Sequence, residues 1–332
     1  MKLIVLTKQF GNYTGATVST IQLLKRINKY FDEILVFTTK TDGTQIPNVK
    51  FKIAKINKLK KAMCKLDTNE YIGYSDDHYG YLFKKANIKY IHTYHGNWPD
   101  ARWLSWAMFA KSFYFISLYK KTIKYSAKTI SVSKYMLNKF VKKYTSSYDT
   151  IYNGIKQINQ HNKGTRKDKK SFIMVGNIDK RKYGQAMPIF GLLNNNINID
   201  IYGKVIDKRL AEKLNRYPFV NLMGMKESID YNKYTIFLCT SKSENLPVSI
   251  VEAIKRGLPV IAYDTGGISE VVKNNENGYV IKNGESRAFK KAILEAVNMK
   301  IKEPKIVNQF NWDYASKKYM RVFKKYECNT EK

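Results

Sequence analysis

Two glutamates lie just before and inside a predicted helix. At this spacing, their carboxylates could bind a phosphorylated ligand that carries hydroxyl groups. Glu244 precedes the predicted helix, Glu252 lies inside it eight positions later, and Pro247 is predicted to be its first residue. Gly257 and Pro259 end the helix. A carboxylate accepts hydrogen bonds from hydroxyls, and a helix N-terminus offers N–H groups and a positive dipole to a phosphate. On spacing alone, two ordinary surface glutamates remain the alternative.

A basic pair follows the first predicted strand in the second half of the chain. Residues 171–175 are predicted to be that strand, Gly176 comes directly after it, and Arg181 and Lys182 follow. In open α/β sheets, ligands bind at the carboxyl ends of the strands. The position therefore favours phosphate binding, with a solvated basic face as the alternative in a lysine-rich chain.

Short apolar runs alternate with amphipathic stretches along the whole chain, which is typical of a doubly wound parallel sheet. The predicted strands of the first half are 3–6, 34–37, 49–53, 90–93 and 129–132, and those of the second half are 171–175, 197–202, 235–239 and 259–262. Residues 156–170 are nearly devoid of apolar side chains and are predicted to be a linker. We expect an α/β protein with domains at 1–155 and 171–311.

The composition is strongly basic, with 59 Lys and Arg against 27 Asp and Glu in 332 residues, a formal charge of +32. This charge favours anionic partners, although a bias toward Lys, Asn, Ile and Tyr unrelated to function would also produce it. Cys64, Cys239 and Cys328 are widely spaced, which argues against a disulfide framework and for a reducing cytosol. No apolar run reaches the roughly 18 residues of a membrane span, and the opening run is too short for a signal peptide. We expect a cytoplasmic protein that begins at Met1.

Segment 243–272 resembles the E-x7-E signature of the family 4 glycosyltransferases, retaining enzymes with the GT-B fold. Glu244 and Glu252 match its two glutamates. The further matching segments are 95–96 (HG), 151–155 (IYNGI), 175–182 (VGNIDKRK), 245–247 (NLP), 257–262 (GLPVIA), 264–267 (DTGG), 277–280 (NGYV) and 310–313 (FNWD). The resemblance implies two Rossmann-like domains with parallel sheets facing across a cleft, and a C-terminal helix, about 312–330, that packs back on the first domain.

The resemblance also implies roles for individual residues. Glu252 would hold the ribose hydroxyls of a nucleotide-sugar, and Arg181 and Lys182 would hold its diphosphate. Glu244 would engage the sugar. The remaining implied contacts to the donor are His95 on the sugar and Gly15, Gly176, Asn245 and Leu246 on the rest of the molecule.

The implied function is transfer of a sugar, with retention, from a nucleotide diphosphate donor to an acceptor hydroxyl. A UDP-sugar donor is favoured, and a glycan or lipid-linked acceptor in cell-surface polysaccharide or glycolipid synthesis. No D-x-D triplet occurs, Asp76-Asp77-His78 is predicted to be a hydrated turn, and we expect no metal or other cofactor. No nucleic-acid-binding pattern occurs either. Asn177 stands where family members often carry Arg, which leaves a catalytically degenerate anion-binding or partner protein as the alternative.

Residues 98–119 hold three of the four tryptophans, with aromatic side chains near helical spacing and lysines directly after them. Aromatic bulk beside lysines is typical of a helix that lies on an anionic membrane surface. We therefore predict membrane contact by Trp103, Trp106, Lys120 and Lys121, with the protein peripheral at the inner face of the cell membrane. Packing of these aromatics in the core of the first domain, or along an acceptor groove, is the alternative.

Overall fold

The computed structural model describes residues 1–155 and 170–326. The chain forms two compact units, one of Met1–Gly154 with the segment from Gln309 onward, and one of Ile155–Asn308. Each unit contains one sheet whose described strands are all parallel, which confirms the predicted α/β class with two parallel sheets. Apart from Lys170, the predicted linker lies outside the described residues.

The described part of the first unit contains a seven-stranded sheet in the order β3-β2-β1-β4-β5-β6-β7. Its strands are β1 (Lys2–Phe10), β2 (Glu33–Thr41), β3 (Val49–Ile53), β4 (Tyr71–Ser75), β5 (Tyr90–Tyr94), β6 (Lys128–Ser131) and β7 (Tyr148–Thr150). The side chains from Leu3 to Leu6 are fully buried, as expected of a strand covered on both faces. The strand order reverses at β1, which lies between β2 and β4, so the loops after β1 and β4 meet at a switch point.

The helices of this unit, as far as residue 155, are α1 (Gly15–Ile27), α2 (Ile56–Met63), α3 (Leu82–Lys85), α4 (Trp98–Ala101), α5 (Trp106–Tyr125) and α6 (Lys134–Lys139). A capping box begins α1, because Thr14 Oγ1 accepts from the Thr17 amide at 3.3 Å and Thr17 Oγ1 accepts from the Thr14 amide at 3.0 Å. Ser133 caps α6 as predicted, accepting from the Met136 amide at 3.1 Å. Of the helices within the described ranges, none combines the length and apolar character that crossing a bilayer requires.

The described part of the second unit contains a six-stranded sheet in the order β10-β9-β8-β11-β12-β13. Its strands are β8 (Ser171–Val175), β9 (Asn198–Tyr202), β10 (Val220–Gly224), β11 (Ile236–Cys239), β12 (Val260–Tyr263) and β13 (Gly278–Ile281). Its helices are α7 (Lys180–Tyr183), α8 (Ala186–Phe190), α9 (Lys208–Leu214), α10 (Val248–Lys255), α11 (Ile268–Val271) and α12 (Ser286–Ala296). Here the order reverses at β8, so the loops after β8 and β11 form the switch point.

The last described helix, α13 (Trp312–Tyr326), belongs to the first unit. Its apolar face, including Trp312, Tyr319 and Phe323, is buried in the same core cluster as Leu3 and Val5 of β1. A Cβ at Gly154 would lie 2.4 Å from the Trp312 backbone nitrogen, so only glycine fits there. The start of α13 is therefore packed closely against Gly154, which ends the Met1–Gly154 segment of the first unit.

Four of the described strands were not predicted from the sequence pattern. They are β4, β7, β10 and β13. The strand β4 reads YIGYS, and the glycine and polar residues interrupt its apolar run. The structure shows why Gly73 is needed, since a Cβ there would lie 2.7 Å from the Cβ of Tyr90 on the neighbouring strand.

Candidate functional site

The predicted basic pair lies on α7, a single turn of helix that follows β8. Asp179 caps this turn by accepting from the Lys182 amide at 2.8 Å. Gly176 has φ +152°, and a Cβ on it would lie 3.1 Å from Lys182 Cε. Glycine at this position therefore leaves room for the methylene groups of the Lys182 side chain. The direction of the Lys182 side chain is set by the local backbone.

Hydrogen bonds to backbone carbonyls join α7 to the loop after β11. The Lys242 amide donates to the Arg181 carbonyl at 2.8 Å, and Thr240 Oγ1 donates to the Lys182 carbonyl at 2.9 Å. Arg181 Nη1 donates in turn to the Ser243 carbonyl at 3.0 Å. These bonds hold α7 against the loop after β11 at the switch point of the second sheet. The two cations and the loop before Glu244 are therefore linked by hydrogen bonds.

Glu244 is the counter-ion of both cations. Its Oε1 lies 3.0 Å from Arg181 Nη1 and 2.5 Å from Lys182 Nζ. Burial favours the neutral acid, but the charges of Lys182 and Arg181 outweigh it and hold the pKa of Glu244 below its ordinary value. The structure thus brings together three of the predicted site residues as a charged triad.

A glycine turn supports the backbone at Glu244 and Asn245. The Gly267 amide donates to the Asn245 carbonyl at 2.6 Å. Gly266 has φ +62°, and a Cβ on it would lie 2.2 Å from the Glu244 carbonyl oxygen. The turn at 264–267, which resembles the family pattern in sequence, therefore packs directly behind Glu244.

Helix α10 begins one residue later than predicted. Pro247 has ψ 119° and is the N-cap, not the first helical residue, so the helix runs for eight residues from Val248. The prediction failed because proline suits either position, and here its carbonyl already accepts from the Ile250 amide at 3.2 Å. The first turn carries no acidic side chain and no side-chain cap, which suits binding of an anion.

Glu252 lies half-buried inside α10 and accepts a hydrogen bond from the hydroxyl of Tyr231 at 3.1 Å. Burial, and then the charge of Glu252, raise the pKa of Tyr231 above its ordinary value, so the hydroxyl stays a donor. The Arg256 guanidinium stacks 4.5 Å from the Tyr231 ring centroid. Tyr231 was not predicted, because no motif links it to a glutamate 21 residues away. Asp179 was not predicted either, although an aspartate three residues before Lys182 is a recognisable N-cap signal.

Two predicted donor residues lie in the first unit. Gly15 is the exposed first residue of α1, and a Cβ on it would meet nothing within 4 Å. His95 follows β5, and its Nε2 is buried without a hydrogen-bond partner among the described residues. Burial lowers the pKa of His95 to about 4, so its imidazole is neutral at pH 7.

The prediction that Asp76-Asp77-His78 is a hydrated turn is wrong. Asp76 and His78 are buried, with 3% and 6% of their surface exposed. Asp76 Oδ2 accepts from Thr20 Oγ1 of α1 at 2.6 Å, and Asp77 accepts from the Lys8 and Tyr79 amides. Burial raises the pKa of Asp76 to about 6. The carboxyls lie at the switch point of the first sheet, where the chain packs them against α1 and the end of β1.

Of the predicted membrane residues, Trp103 lies in a short turn at 102–104 that precedes α5, Trp106 is the first residue of α5, and Lys120 and Lys121 lie farther along that helix. Trp103 is 73% exposed and Trp106 is 86% exposed, so their packing in the core of the first unit is excluded. Lys120 and Lys121 are exposed as well. The helix begins at Trp106, and Ser105 caps it by accepting from the Met108 amide at 3.2 Å, so residues 98–119 do not form one helix.

Two further features bear on the site. Within 1–155 and 170–326, no three His, Cys, Asp or Glu side chains gather as a metal-binding group. A cavity of about 420 Å³ in the second unit is lined by Phe172 at the start of β8 and by Ile293 and Val297 at α12. It lies at the amino ends of the strands, away from the charged triad.

Two protein families match this chain. Residues 156–311 match the model described as Glycosyl transferases group 1, and residues 70–157 match Glycosyltransferase Family 4. With the two parallel-sheet units, these matches support a GT-B glycosyltransferase of the family 4 and group 1 type.

Individual relatives agree with that class. The chain is 27% identical to the uncharacterized glycosyltransferase MJ1178 of Methanocaldococcus jannaschii over 227 residues, covering 65% of this chain and 61% of that protein. It is 34% identical over 92 residues to the GtfA subunit of the UDP-N-acetylglucosamine–peptide N-acetylglucosaminyltransferase of Streptococcus parasanguinis, covering 26% of this chain and 18% of that subunit. The chain thus spans less than two thirds of the length of these curated relatives.

Solved structures are similar in fold. Anabaena HepE in complex with UDP and glucose has a TM-score of 0.75 at 17% identity, with 97% of this chain and 99% of that chain covered. The lipopolysaccharide outer core galactosyltransferase WaaB has a TM-score of 0.71 at 14% identity, with 98% of this chain and 100% of that chain covered. At these identities the likeness is one of fold.

Proposed function

We propose that this protein is a retaining glycosyltransferase that moves a sugar from a nucleotide diphosphate donor, a UDP-sugar, to an acceptor hydroxyl. The charged triad carries the proposal, because Arg181 and Lys182 are held at the switch point of the second sheet by Glu244, three residues before Pro247, where α10 begins without a side-chain cap. Two fixed cations and the N–H groups of a helix N-terminus suit a diphosphate. The choice of donor is supported by Anabaena HepE, which is similar in fold and was solved in complex with UDP and glucose.

The proposed chemistry is a same-face substitution. The bond from the anomeric carbon to the phosphate oxygen breaks, the acceptor oxygen bonds to that carbon, and the acceptor proton passes to the leaving phosphate. Arg181, Lys182 and the N–H groups at the start of α10 stabilise the charge that develops on the diphosphate. The step needs no protein nucleophile, and the proposal assigns it no metal.

The remaining roles follow the resemblance. Glu252, held by Tyr231, accepts hydrogen bonds from the ribose hydroxyls. Asn245 and Leu246 present backbone groups to the donor. In the first unit, the resemblance assigns His95 to the sugar and Gly15 to the donor, and the open space at Gly15 would allow a ligand to approach the backbone.

Two lysines on α7 allow a matched test. Lys182 contacts Glu244, whereas Lys180, two residues earlier on the same turn, is exposed. We expect Lys182→Met to weaken UDP binding by about ten- to a hundredfold in calorimetry, as for loss of a charge-assisted phosphate contact, and to reduce sugar release from UDP-sugars. Lys180→Met should leave both unchanged. Equal effects of the two substitutions would contradict the proposed diphosphate site.

The alternative is a partner protein that binds an anion without turnover, and Asn177 favours it, since the residue is exposed and uncharged at a position that is often Arg in the family. Turnover separates the two. If UDP binds but no UDP-sugar is hydrolysed or transferred over many hours, and Asn177→Arg restores turnover, the alternative is supported.

We further propose that α5 places the protein on an anionic membrane, for synthesis of a cell-surface polysaccharide or glycolipid. Trp106, Phe113 and Lys120 are spaced by seven residues and share one exposed helix face. The Arg102 guanidinium stacks 4.9 Å from the rings of Trp103 and Phe109, which keeps a cation among the aromatics.

Vesicles test this second proposal. The sequence of α5 contains no acidic residue, so an anionic surface meets only positive charge there. We expect co-sedimentation with phosphatidylglycerol vesicles, release by high salt, and weak binding to phosphatidylcholine vesicles. Equal binding to both at every salt concentration would contradict the electrostatic part of the proposal.

A further inference from the structure

Both cations of the charged triad bind the same carboxylate oxygen. Glu244 Oε1 is within 3.0 Å of Arg181 Nη1 and 2.5 Å of Lys182 Nζ. Since the two cations carry like charges, the carboxylate between them offsets part of their mutual repulsion. Any anion that binds the pair therefore meets a site that already contains one negative charge.

The three groups differ in their access to solvent. The Glu244 side chain is 9% exposed, that of Lys182 is 14% exposed and that of Arg181 is 32% exposed. Within the part of the chain that the structure describes, the hydrogen bonds of the Arg181 guanidinium use only Nη1. An anion in solvent can thus reach the outer side of the cations while Glu244 holds them from the inner side.

The backbone keeps the cations where they are. The Asp179 cap and the bonds from Lys242 and Thr240 fix the main chain at Arg181 and Lys182. The charges of Lys182 and Arg181 hold the pKa of Glu244 low, against its burial, so it stays ionised at neutral pH. A diphosphate and the Glu244 carboxylate must then share, or exchange, the same two positive charges.

We propose that Glu244 is a resident counter-anion that competes with the diphosphate for Arg181 and Lys182 and so limits retention of the nucleoside diphosphate product. This inference rests on the proposed function. A transferase must release UDP after each turnover, and product release commonly limits the rate. A carboxylate that pairs again with the two cations as UDP departs would speed UDP release and lower the affinity for UDP.

Isothermal titration of the full-length protein with UDP tests the inference. Glu244→Gln keeps the size and an oxygen acceptor but removes the charge. We expect it to bind UDP at least about threefold more tightly than the wild type, because a nearby like charge has been removed, and to release UDP more slowly in stopped-flow. Glu295→Gln is the matched control, since it removes a charge from an exposed pair with Lys291 and should leave UDP affinity unchanged.

The outcomes separate this inference from the proposed function. If the wild type binds UDP and Glu244→Gln binds it equally or more weakly, the counter-anion role is overturned and the donor site stands. If the wild type binds neither UDP nor another nucleoside diphosphate at millimolar concentration, both are overturned. Should Glu244→Gln fail to fold, Glu244→Asp keeps the charge on a shorter side chain, which draws the carboxylate away from both cations. It should then bind UDP more tightly than the wild type by a smaller margin, and an unchanged or weaker affinity overturns the inference.

Discussion

Replacing Gly266 by alanine should destabilise the second unit strongly, because the residue combines a left-handed backbone with a close approach. Its φ is +62°, and a Cβ would lie 2.2 Å from the Glu244 carbonyl oxygen and 2.7 Å from that of Asn245. The left-handed conformation costs a non-glycine residue about 1–2 kcal/mol. Crowding against backbone that cannot easily move adds about 1–3 kcal/mol. We expect Gly266→Ala to lower the free energy of unfolding by about 2–5 kcal/mol and to displace the backbone at Glu244.

Gly224 supplies the control for the crowding term. Its φ is +67°, nearly that of Gly266, yet a Cβ there would meet nothing within 4 Å. Gly224→Ala should therefore cost only the conformational part, about 1–2 kcal/mol. The difference between the two variants isolates the close approach behind Glu244.

The assay is urea denaturation followed by far-UV circular dichroism. All four tryptophans, at 98, 103, 106 and 312, lie in the first unit, so their emission reports that unit alone and should not change in either variant. If Gly266→Ala and Gly224→Ala lower the free energy of unfolding by the same amount, the packing of the glycine turn against the Glu244 carbonyl is refuted.

Three further substitutions test other parts of the molecule. Gly15→Ala should raise the free energy of unfolding by about 0.5–1 kcal/mol, because alanine fits the first turn of α1, yet weaken UDP-sugar binding in calorimetry; unchanged affinity would argue against donor approach at this backbone. The pair Trp103→Ala and Trp106→Ala should leave the melting temperature unchanged, given the exposure of both rings, but reduce binding to phosphatidylglycerol vesicles about tenfold or more. Asp76 has a pKa of about 6 in the folded state, above the roughly 3.9 of an unfolded chain, so its contribution to stability is present below about pH 4 and lost as the pH rises through 6. Burial and then the charge of Asp76 also raise the pKa of the adjacent Asp77, so relative to Asp76→Asn the wild type should lose stability as the pH rises from about 4 to 7 in denaturant titrations, and parallel pH profiles would contradict this.

The architecture was predictable where buried strands read as continuous apolar runs. Residues 3–6 and 236–239 are of this kind, and each lies at or next to the centre of its sheet. The strand β10, by contrast, lies at the sheet edge and alternates exposed with more protected residues, and β4 is interrupted by Gly73. Edge position and interstrand glycine contacts depend on neighbours far away in the chain, which local pattern does not reveal.

The site was predictable to a similar degree. Helix signals near Pro247 and the basic residues at 181 and 182 indicated an anion site, and the fold places the basic pair beside Glu244. Burial of Asp76 was not predictable, because a run of two acidic residues and a histidine normally favours solvent. Here β4 ends at the switch point, and the hydroxyl of Thr20, which is 56 residues away in sequence, donates a hydrogen bond to the Asp76 carboxylate.

The membership of α13 in the first unit sets an order for biosynthesis. The second unit is a continuous stretch, Ile155–Asn308, whereas the first needs Trp312, Tyr319 and Phe323 to fill its core. A nascent chain can finish the later-encoded unit while the earlier one still waits for its final helix. A product truncated near residue 309 would leave the ribosome with that core open and its apolar interior available to chaperones and proteases.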